Sequence, residues 1–289
     1  MVDPITFDLT RIQEWTRERQ DEMPSGPYIA TYEKQGRRLQ YIAADHEKNG
    51  KPNPTLPLIN EAISTNPNVI IIETTPYHVQ PGDILGNNEA KYTAALAEIK
   101  NIPWIPGEAL NAEILLTLKS QGYTEQDAAH FYMLRAMVDE NQRTPTTDVH
   151  ALFQKTAHTF PPEERPSETA FTRWFAEHDD SGKSILQMTN EDTAPTLSGD
   201  ASYFNIISHH VSTAREEHLD RLIEKALSDY GDVTVVYGKG HHLKSKEVYD
   251  TALGQPNIVT ATDNYMSLSE PRAPLAGQIK ETTQRERGR

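Results

Sequence analysis

Two histidines and one glutamate each follow a short apolar run of this chain. His46 comes after YIAAD, Glu73 follows VIII, and His241 comes after VVYGKG. Continuous β-branched runs of this length are typical of buried strands in a parallel sheet. Because open α/β sheets do their chemistry beyond the carboxyl ends of their strands, we expect these three side chains to converge at one edge of a sheet.

The two histidines share a spacing of a small residue, two further residues and then histidine. Gly238 starts this pattern before His241, and Ala43 starts it before His46. A glycine at a strand end permits a close approach of the backbone. A carboxylate such as that of Glu73 is costly beside a buried strand unless it is paired or metal-bound. An N-cap role or an ion pair with Arg215 would be the simpler explanation for it.

Composition narrows the class of protein. The 289 residues include 28 Lys and Arg against 42 Asp and Glu, a net charge of −14, which argues against nucleic acid as a partner because phosphate binding needs a basic face. No cysteine is present, so disulfides and thiolate sites are excluded. No apolar run approaches a membrane span and the first residues have no signal-peptide core. We therefore expect a soluble, cytoplasmic protein.

The elements that must position these residues are those of an α/β fold. A hairpin is predicted from strands at 28–33 and 38–43, and a helix near 58–65 leads to the strand at 69–73. Further strands are expected at 103–105, 233–237 and 257–260, with a turn at 238–241 and helices at 87–100 and 245–253. We expect a central mixed, mainly parallel sheet with flanking helices.

The middle of the chain has a different character. Helices are predicted at 108–121, 124–141, 148–158 and 167–178, with a capping box at Thr124 and Asp127. A polar surface loop is expected at 178–199, and a second capping box, Thr213 to Glu216, is expected to open a helix that ends at 228. We interpret 107–200 as a helical insertion, or cap, on a single domain of residues 1–289, and 271–289 as a loose tail.

The order of these motifs resembles that of the Tiki/TraB (TraB/PrgY/GumN-like) family, which shares a superfamily with the erythromycin esterases and the ChaN-like haem-uptake proteins. The resemblance covers about 28–76 and 210–260. Gly238–His241 matches the second Gly-x-x-His motif of the family in full, whereas Ala43 replaces the glycine of the first. Glu73 and Arg215 match its glutamate and helix arginine. The resemblance implies a metal-dependent hydrolase, a peptidase in the Tiki branch.

On this resemblance, His46, Glu73 and His241 would bind one divalent ion and leave a position for water. Two imidazoles with one carboxylate form a workable catalytic set, and without thiolates the ion could be Mn²⁺, Co²⁺ or Zn²⁺. Arg215 would stabilise an oxyanion or hold a substrate carboxylate. Glu47 or Glu108 could serve as the general base, and the substrate would be a peptide or a small molecule.

Two alternatives remain open at the level of sequence. The first is a metal-independent, esterase-type hydrolase in which His46 is the base that activates water and Glu73 orients it. The second is a non-catalytic protein that binds haem or another ligand, with Tyr77 and His78 beside Glu73 as the suspected ligands.

Overall fold

The computed structural model describes residues 4–21, 24–46, 53–76, 78–80, 82–162, 165–197 and 201–261. Its strands are β1 (Tyr28–Lys34), β2 (Arg37–Ala44), β3 (Val69–Ile72), β4 (Trp104–Pro106), β5 (Asp232–Gly238) and β6 (Asn257–Thr260). Its helices are α1 (Arg17–Asp21), α2 (Thr55–Ser64), α3 (Glu89–Lys100), α4 (Asn111–Ser120), α5 (Glu125–Arg143), α6 (Val149–Ala157), α7 (Glu168–His178), α8 (Tyr203–Tyr230) and α9 (Lys239–Leu253).

The strands form one mixed sheet in the order β4-β3-β5-β2-β1-β6. The pairs β4-β3, β3-β5 and β5-β2 are parallel, whereas β2-β1 and β1-β6 are antiparallel. This arrangement confirms the predicted α/β class. No helix in the described part of the chain combines the length and the apolar character that crossing a bilayer requires.

The central strands are apolar on both faces because helices cover both sides of the sheet. All four residues of β3 are fully buried. One face of the sheet packs with residues of α8 and α9, and the other packs with residues of α2 and α3. Such two-sided burial is why these strands read as continuous apolar runs rather than as alternating ones.

The register brings three strand ends to the same edge. Ala44 of β2 pairs with Gly238 of β5, and Ile72 of β3 pairs with Val236 of β5. Because these three strands are parallel, the residues that follow them emerge side by side. The sheet therefore supplies the geometry that a site shared by three distant segments requires.

The hairpin of β1 and β2 is confirmed. Lys34 pairs with Arg37 across a two-residue turn, and both turn residues, Gln35 and Gly36, have positive φ angles of 54° and 76°. Two central residues with positive φ match the right-handed twist of the strands. The strands thus extend one residue further towards the turn than the sequence pattern indicated.

The helices of the middle segment enclose an apolar core of their own. Helices α4 to α7 contribute to a cluster that is separate from the two clusters on the sheet. Thr124 and Asp127 form the predicted capping box at the start of α5. The segment expected as a surface loop at 178–199 instead contains two short 3-10 turns, where Ile185 and Met188 are buried in this core.

Two predicted helix starts are wrong. Helix α8 begins at Tyr203 and is capped by Ser202, so Thr213 lies in its interior. The Glu216 carboxylate binds His241 and Lys244 of α9 and accepts from the Ser212 hydroxyl, so it does not cap. Helix α9 begins at Lys239 rather than at 245, since the chain passes from β5 into the helix at Gly238 without an intervening turn. The expected tail at 271–289 lies outside the described residues.

Candidate active site

His46, Glu73 and His241 come together at the carboxyl edge of the sheet. The Nε2 atom of His46 lies 3.5 Å from Oε2 of Glu73, and the Nε2 atom of His241 lies 3.7 Å from Oε1 of the same carboxylate. The backbone N–H of Gly238 donates to Oε2 of Glu73 at 2.7 Å. Two imidazoles thus face the two oxygens of one carboxylate, although the three residues are far apart in sequence.

Gly238 allows the three side chains of the site to approach its backbone closely. A Cβ atom at this position would lie 3.0 Å from Nε2 of His46, 3.4 Å from Oε2 of Glu73 and 3.5 Å from Cδ2 of His241. Its φ of −55° is one that any residue adopts. The glycine is therefore required because the neighbouring side chains lie too close for a Cβ atom, and not because of its backbone conformation.

His46 lies beyond the end of β2 and is held from α3. Its Nδ1 atom bonds to the carboxylate of Glu89, which also accepts the side-chain amide of Asn53 at 2.9 Å. A carboxylate only accepts, so Nδ1 carries the proton and donates it, and Nε2 is directed towards Glu73. Hydrogen bonding to Glu73 and to Glu89 raises the pKa of His46 to about 10. The His46 side chain is nevertheless 45% exposed.

His241 lies in the first turn of α9 and is held from α8. Its Nδ1 atom bonds to the carboxylate of Glu216, which is fully buried and also meets the Lys244 ammonium at 3.2 Å. Burial alone would raise the pKa of Glu216, but His241, Lys244 and Arg215 outweigh it and bring the pKa down to about 2. The His241 side chain is only 15% exposed.

Glu73 also forms the ion pair that the simpler explanation required. A guanidinium nitrogen of Arg215 lies 3.3 Å from Oε1 of Glu73, and Arg215 binds Glu108 more closely, at 2.6 and 3.1 Å. Burial on its own raises the pKa of Glu73, yet His46, His241 and Arg215 bring the pKa down to about 2. Glu73 is therefore a carboxylate that faces an arginine and two imidazoles at once.

The candidate bases have different positions. Glu108 is paired with Arg215, which leaves it less available as a base than an unpaired carboxylate would be. Glu47 lies outside the described residues.

The suspected haem ligands are Tyr77 and His78. Tyr77 also lies outside the described residues. His78 is exposed.

The neighbour of His241 in sequence belongs to the core. His242 is buried, with its Nδ1 atom 2.7 Å from the Tyr28 hydroxyl and its Nε2 atom 3.1 Å from the Tyr32 hydroxyl. Burial, followed by the charge of Lys246, lowers the pKa of His242 to about 3. Both of its nitrogens have partners in the core, so His242 is a satisfied core histidine.

Glu89 and Glu216, which hold the two histidines, were not identified from sequence. Glu89 follows Asn88, the N-cap of α3, and looks like an ordinary acidic residue of a first helical turn. For Glu216 the sequence did contain an indication of its role, because the residue lies on the buried stripe of α8 that includes Leu219 and Ile223. A carboxylate at a core position of a helix must have a buried partner.

The donor chemistry of this site suits a divalent ion. A histidine that binds a metal through one nitrogen commonly donates its other N–H to a carboxylate, as His46 and His241 do here. Both imidazoles and the Glu73 carboxylate also meet beside Gly238, where an added Cβ would lie within 3.5 Å of an atom of each. In the described part of the chain, however, no three His, Asp or Glu side chains are already arranged as a metal site.

Comparison with known proteins adds no relative. No family model, no curated protein and no solved structure matches this chain. The similarity to the Tiki/TraB family thus depends on the four short motifs alone and stays a prediction.

Proposed function

We propose that this protein is a metal-dependent hydrolase, peptidase-like in the manner of the Tiki branch. The observation that carries the proposal is the paired support of the two imidazoles. Each Nδ1 atom is held by a carboxylate, Glu89 or Glu216, and each Nε2 atom is directed at Glu73. His46, Glu73 and His241 would bind one divalent ion, and Mn²⁺, Co²⁺ and Zn²⁺ all suit imidazole and carboxylate ligands.

Such an ion, when bound, lowers the pKa of a coordinated water and polarises a carbonyl oxygen. The chain supplies the rest of the reaction. Glu89 and Glu216 accept the Nδ1 proton of each imidazole, so that Nε2 is the atom left to bind an ion. Without an ion, His46, whose pKa is near 10, also carries a proton on Nε2, and this proton must leave when the ion binds. Arg215 neutralises negative charge that develops on the substrate oxygen. Glu47 and Glu108 remain the candidates for accepting the proton of the attacking water.

The test is to strip the purified protein with a chelator and reload it with Mn²⁺, Co²⁺ or Zn²⁺. We expect hydrolysis of a peptide and ester panel to disappear on stripping and to return with one bound ion per chain, as counted by elemental analysis. His241→Ala and His46→Ala should lose both the ion and the activity. His150→Ala is the matched control, because His150 is an exposed histidine of α6 that pairs with Glu168.

The same experiment separates the alternatives. Full activity in metal-free protein would favour His46 as the base. Since Glu73 and Glu89 hold the pKa of His46 near 10, the rate would then rise about tenfold per pH unit up to that pH, as the imidazole loses its proton. A Soret band on haem titration, without hydrolysis of any substrate in the panel, would favour the ligand-binding alternative.

A further inference from the structure

A cleft of about 140 Å³ opens beside the candidate site. It shares Arg215 and His241 with that site, so a molecule held in the cleft reaches the groups that face Glu73. Its walls come from α5, α8, α9 and the segment before α1. Its lining residues include Trp15, Arg135, Ser212, Arg215, His241 and Lys244.

The cleft carries an excess of positive charge. Arg135, Arg215 and Lys244 all line it, and Glu216 is its one acidic lining residue in the described part of the chain. Lys244 is paired with Glu216. Desolvation, followed by the charge of Arg215, lowers the pKa of Arg135, as expected for two cations in one cleft.

Arg135 forms no ion pair with the described residues. The charge of Asp139, one turn further along α5, acts on it, but the Asp139 carboxylate is paired with Arg143. Arg215 has its charge balanced by Glu108 and Glu73, whereas no carboxylate of the described residues lies within ion-pair distance of Arg135. The Arg135 guanidinium is instead stacked over the Phe131 ring at 5.9 Å, and its side chain remains accessible to solvent. A planar guanidinium with unused donors is suited to bind a carboxylate or a phosphate through two parallel hydrogen bonds.

We propose that this cleft binds the carboxylate of the substrate, with Arg135 as its main partner. The proposal rests on the hydrolase function proposed above and names its substrate class. Arg215 contacts Glu73 at 3.3 Å and lines the cleft together with Arg135 and His241, so an anion held in the cleft lies next to the candidate site. The preferred substrates are therefore N-acyl amino acids and peptides cleaved at their last bond.

The reaction balances without a further reactant. Water adds to the acyl carbon, the C–N bond breaks, and the amine leaves with a proton taken from that water. The products are an acyl carboxylate and a free amino acid. The Arg135 side chain touches only the carboxylate of the leaving amino acid and is not involved in proton transfer.

The proposal is tested by binding, so that it does not depend on turnover. The probes are N-acetylalanine, its uncharged analogue N-acetylalaninamide and inorganic phosphate, titrated calorimetrically into metal-free protein, in which the metal-dependent reaction cannot consume the acid. We expect the acid to bind about tenfold more tightly than the amide, the loss typical of one charge-assisted hydrogen bond. Arg135→Gln should remove this preference and Arg135→Lys should retain part of it.

Arg173→Gln is the matched control, because Arg173 is an exposed arginine of α7 that does not line the cleft. It should leave the preference for the acid unchanged. Phosphate should compete with the acid and lose affinity in the Arg135→Gln variant. The proposal is overturned if acid and amide bind equally, if phosphate alone binds, or if Arg135→Gln retains the full preference. An intact preference in protein that hydrolyses nothing would support the cleft and refute the hydrolase function.

Discussion

The two histidines of the candidate site have the same spacing from a small residue but are supported in different ways. His46 follows β2 in a loop, is nearly half exposed and is held by Glu89, at the start of α3. His241 lies within α9, is mostly buried and is held by Glu216, which is inaccessible to solvent. One side of the site is therefore built into the core, whereas the other is attached at the surface.

The difference separates a fixed side from an adjustable one. Glu216 of α8 pairs with both His241 and Lys244 of α9, so moving His241 breaks a buried ion pair between two packed helices. The backbone of His46 is less restrained, since β2 ends at Ala44, two residues before it. We call the part of the site with His241 the β5 side and the part with His46 the β2 side. We infer that the β5 side is preformed and that the β2 side adjusts when an ion or a substrate binds.

The largest expected effect concerns stability and compares the two supporting carboxylates. Glu216→Gln leaves the Lys244 ammonium buried without a counterion, and removing one partner of a buried ion pair costs about 3–5 kcal/mol. Glu89→Gln keeps the hydrogen bond from Asn53 and affects a partly exposed pair, so we expect a loss of less than about 1 kcal/mol. Urea unfolding of both variants measures this difference. Equal losses would show that the two sides are supported alike.

The second prediction concerns metal affinity and rests on the proposed function. Replacing a carboxylate that orients a ligating histidine typically costs about 10–100-fold in affinity. Glu216→Gln should lie at the upper end of this range, because its histidine is fixed by the core, and Glu89→Gln should lie at the lower end. Competition against a chelating dye gives both constants. A larger loss in Glu89→Gln would reverse our assignment of the fixed side.

Much of the sheet side of the site could be predicted from sequence, for a physical reason. A buried parallel strand must be apolar on both faces, so a run such as VIII of β3 can be recognised as a strand from sequence. Neighbouring parallel strands also end at the same edge of their sheet. Glu73 and both histidines followed from that rule. The turn of the hairpin was equally local, because Gly36 takes a positive φ without strain, although Gln35 beside it adopts one as well.

The helical side could not be predicted in the same way. Which face of a helix meets the site depends on its rotation about its own axis, and that is decided by packing with distant segments. Glu89 thus looked like a surface residue of a first turn. Thr213 and Glu216 had the spacing of a capping box, although they lie in the middle of a helix of 28 residues. Local pattern and tertiary role conflicted there, and the tertiary role prevailed.

The third prediction compares two glycines near the strand ends. In Gly238→Ala the new Cβ would lie within 3.5 Å of atoms of His46, Glu73 and His241, so we expect about a tenfold loss of hydrolysis with little loss of stability. In Gly107→Ala the Cβ would lie 2.9 Å from Ile71 and 3.0 Å from Tyr237. Overpacking of this kind costs about 1–3 kcal/mol. Kinetics together with thermal unfolding check both variants, and unchanged activity in Gly238→Ala would refute a reaction in that space.

The smallest effect is a pH dependence of stability that differs between the two sides in metal-free protein. The pKa of His46 is raised in the fold from 6.5 to about 10, so its contribution is complete below pH 6.5 and is lost as the pH rises towards 10. The pKa of Glu216 is lowered from 4.5 to about 2, so its contribution is present above pH 4.5 and is lost as the pH falls towards 2.

The β2 side should therefore weaken in alkali and the β5 side in acid. His46→Gln should flatten the decline in unfolding free energy between pH 6.5 and 10, and Glu216→Gln should flatten the decline between pH 4.5 and 2. Because the His46 side chain is nearly half exposed, solvent screens its interactions, and its share should be below about 1 kcal/mol. Urea unfolding at pH 6 and pH 9.5 resolves this. The contradicting outcome is an unfolding free energy of His46→Gln that declines with pH as steeply as that of the parent protein. The interactions of His46 with Glu73 and Glu89 would then contribute nothing to the stability of the fold, and the β2 side would be held by β2 alone.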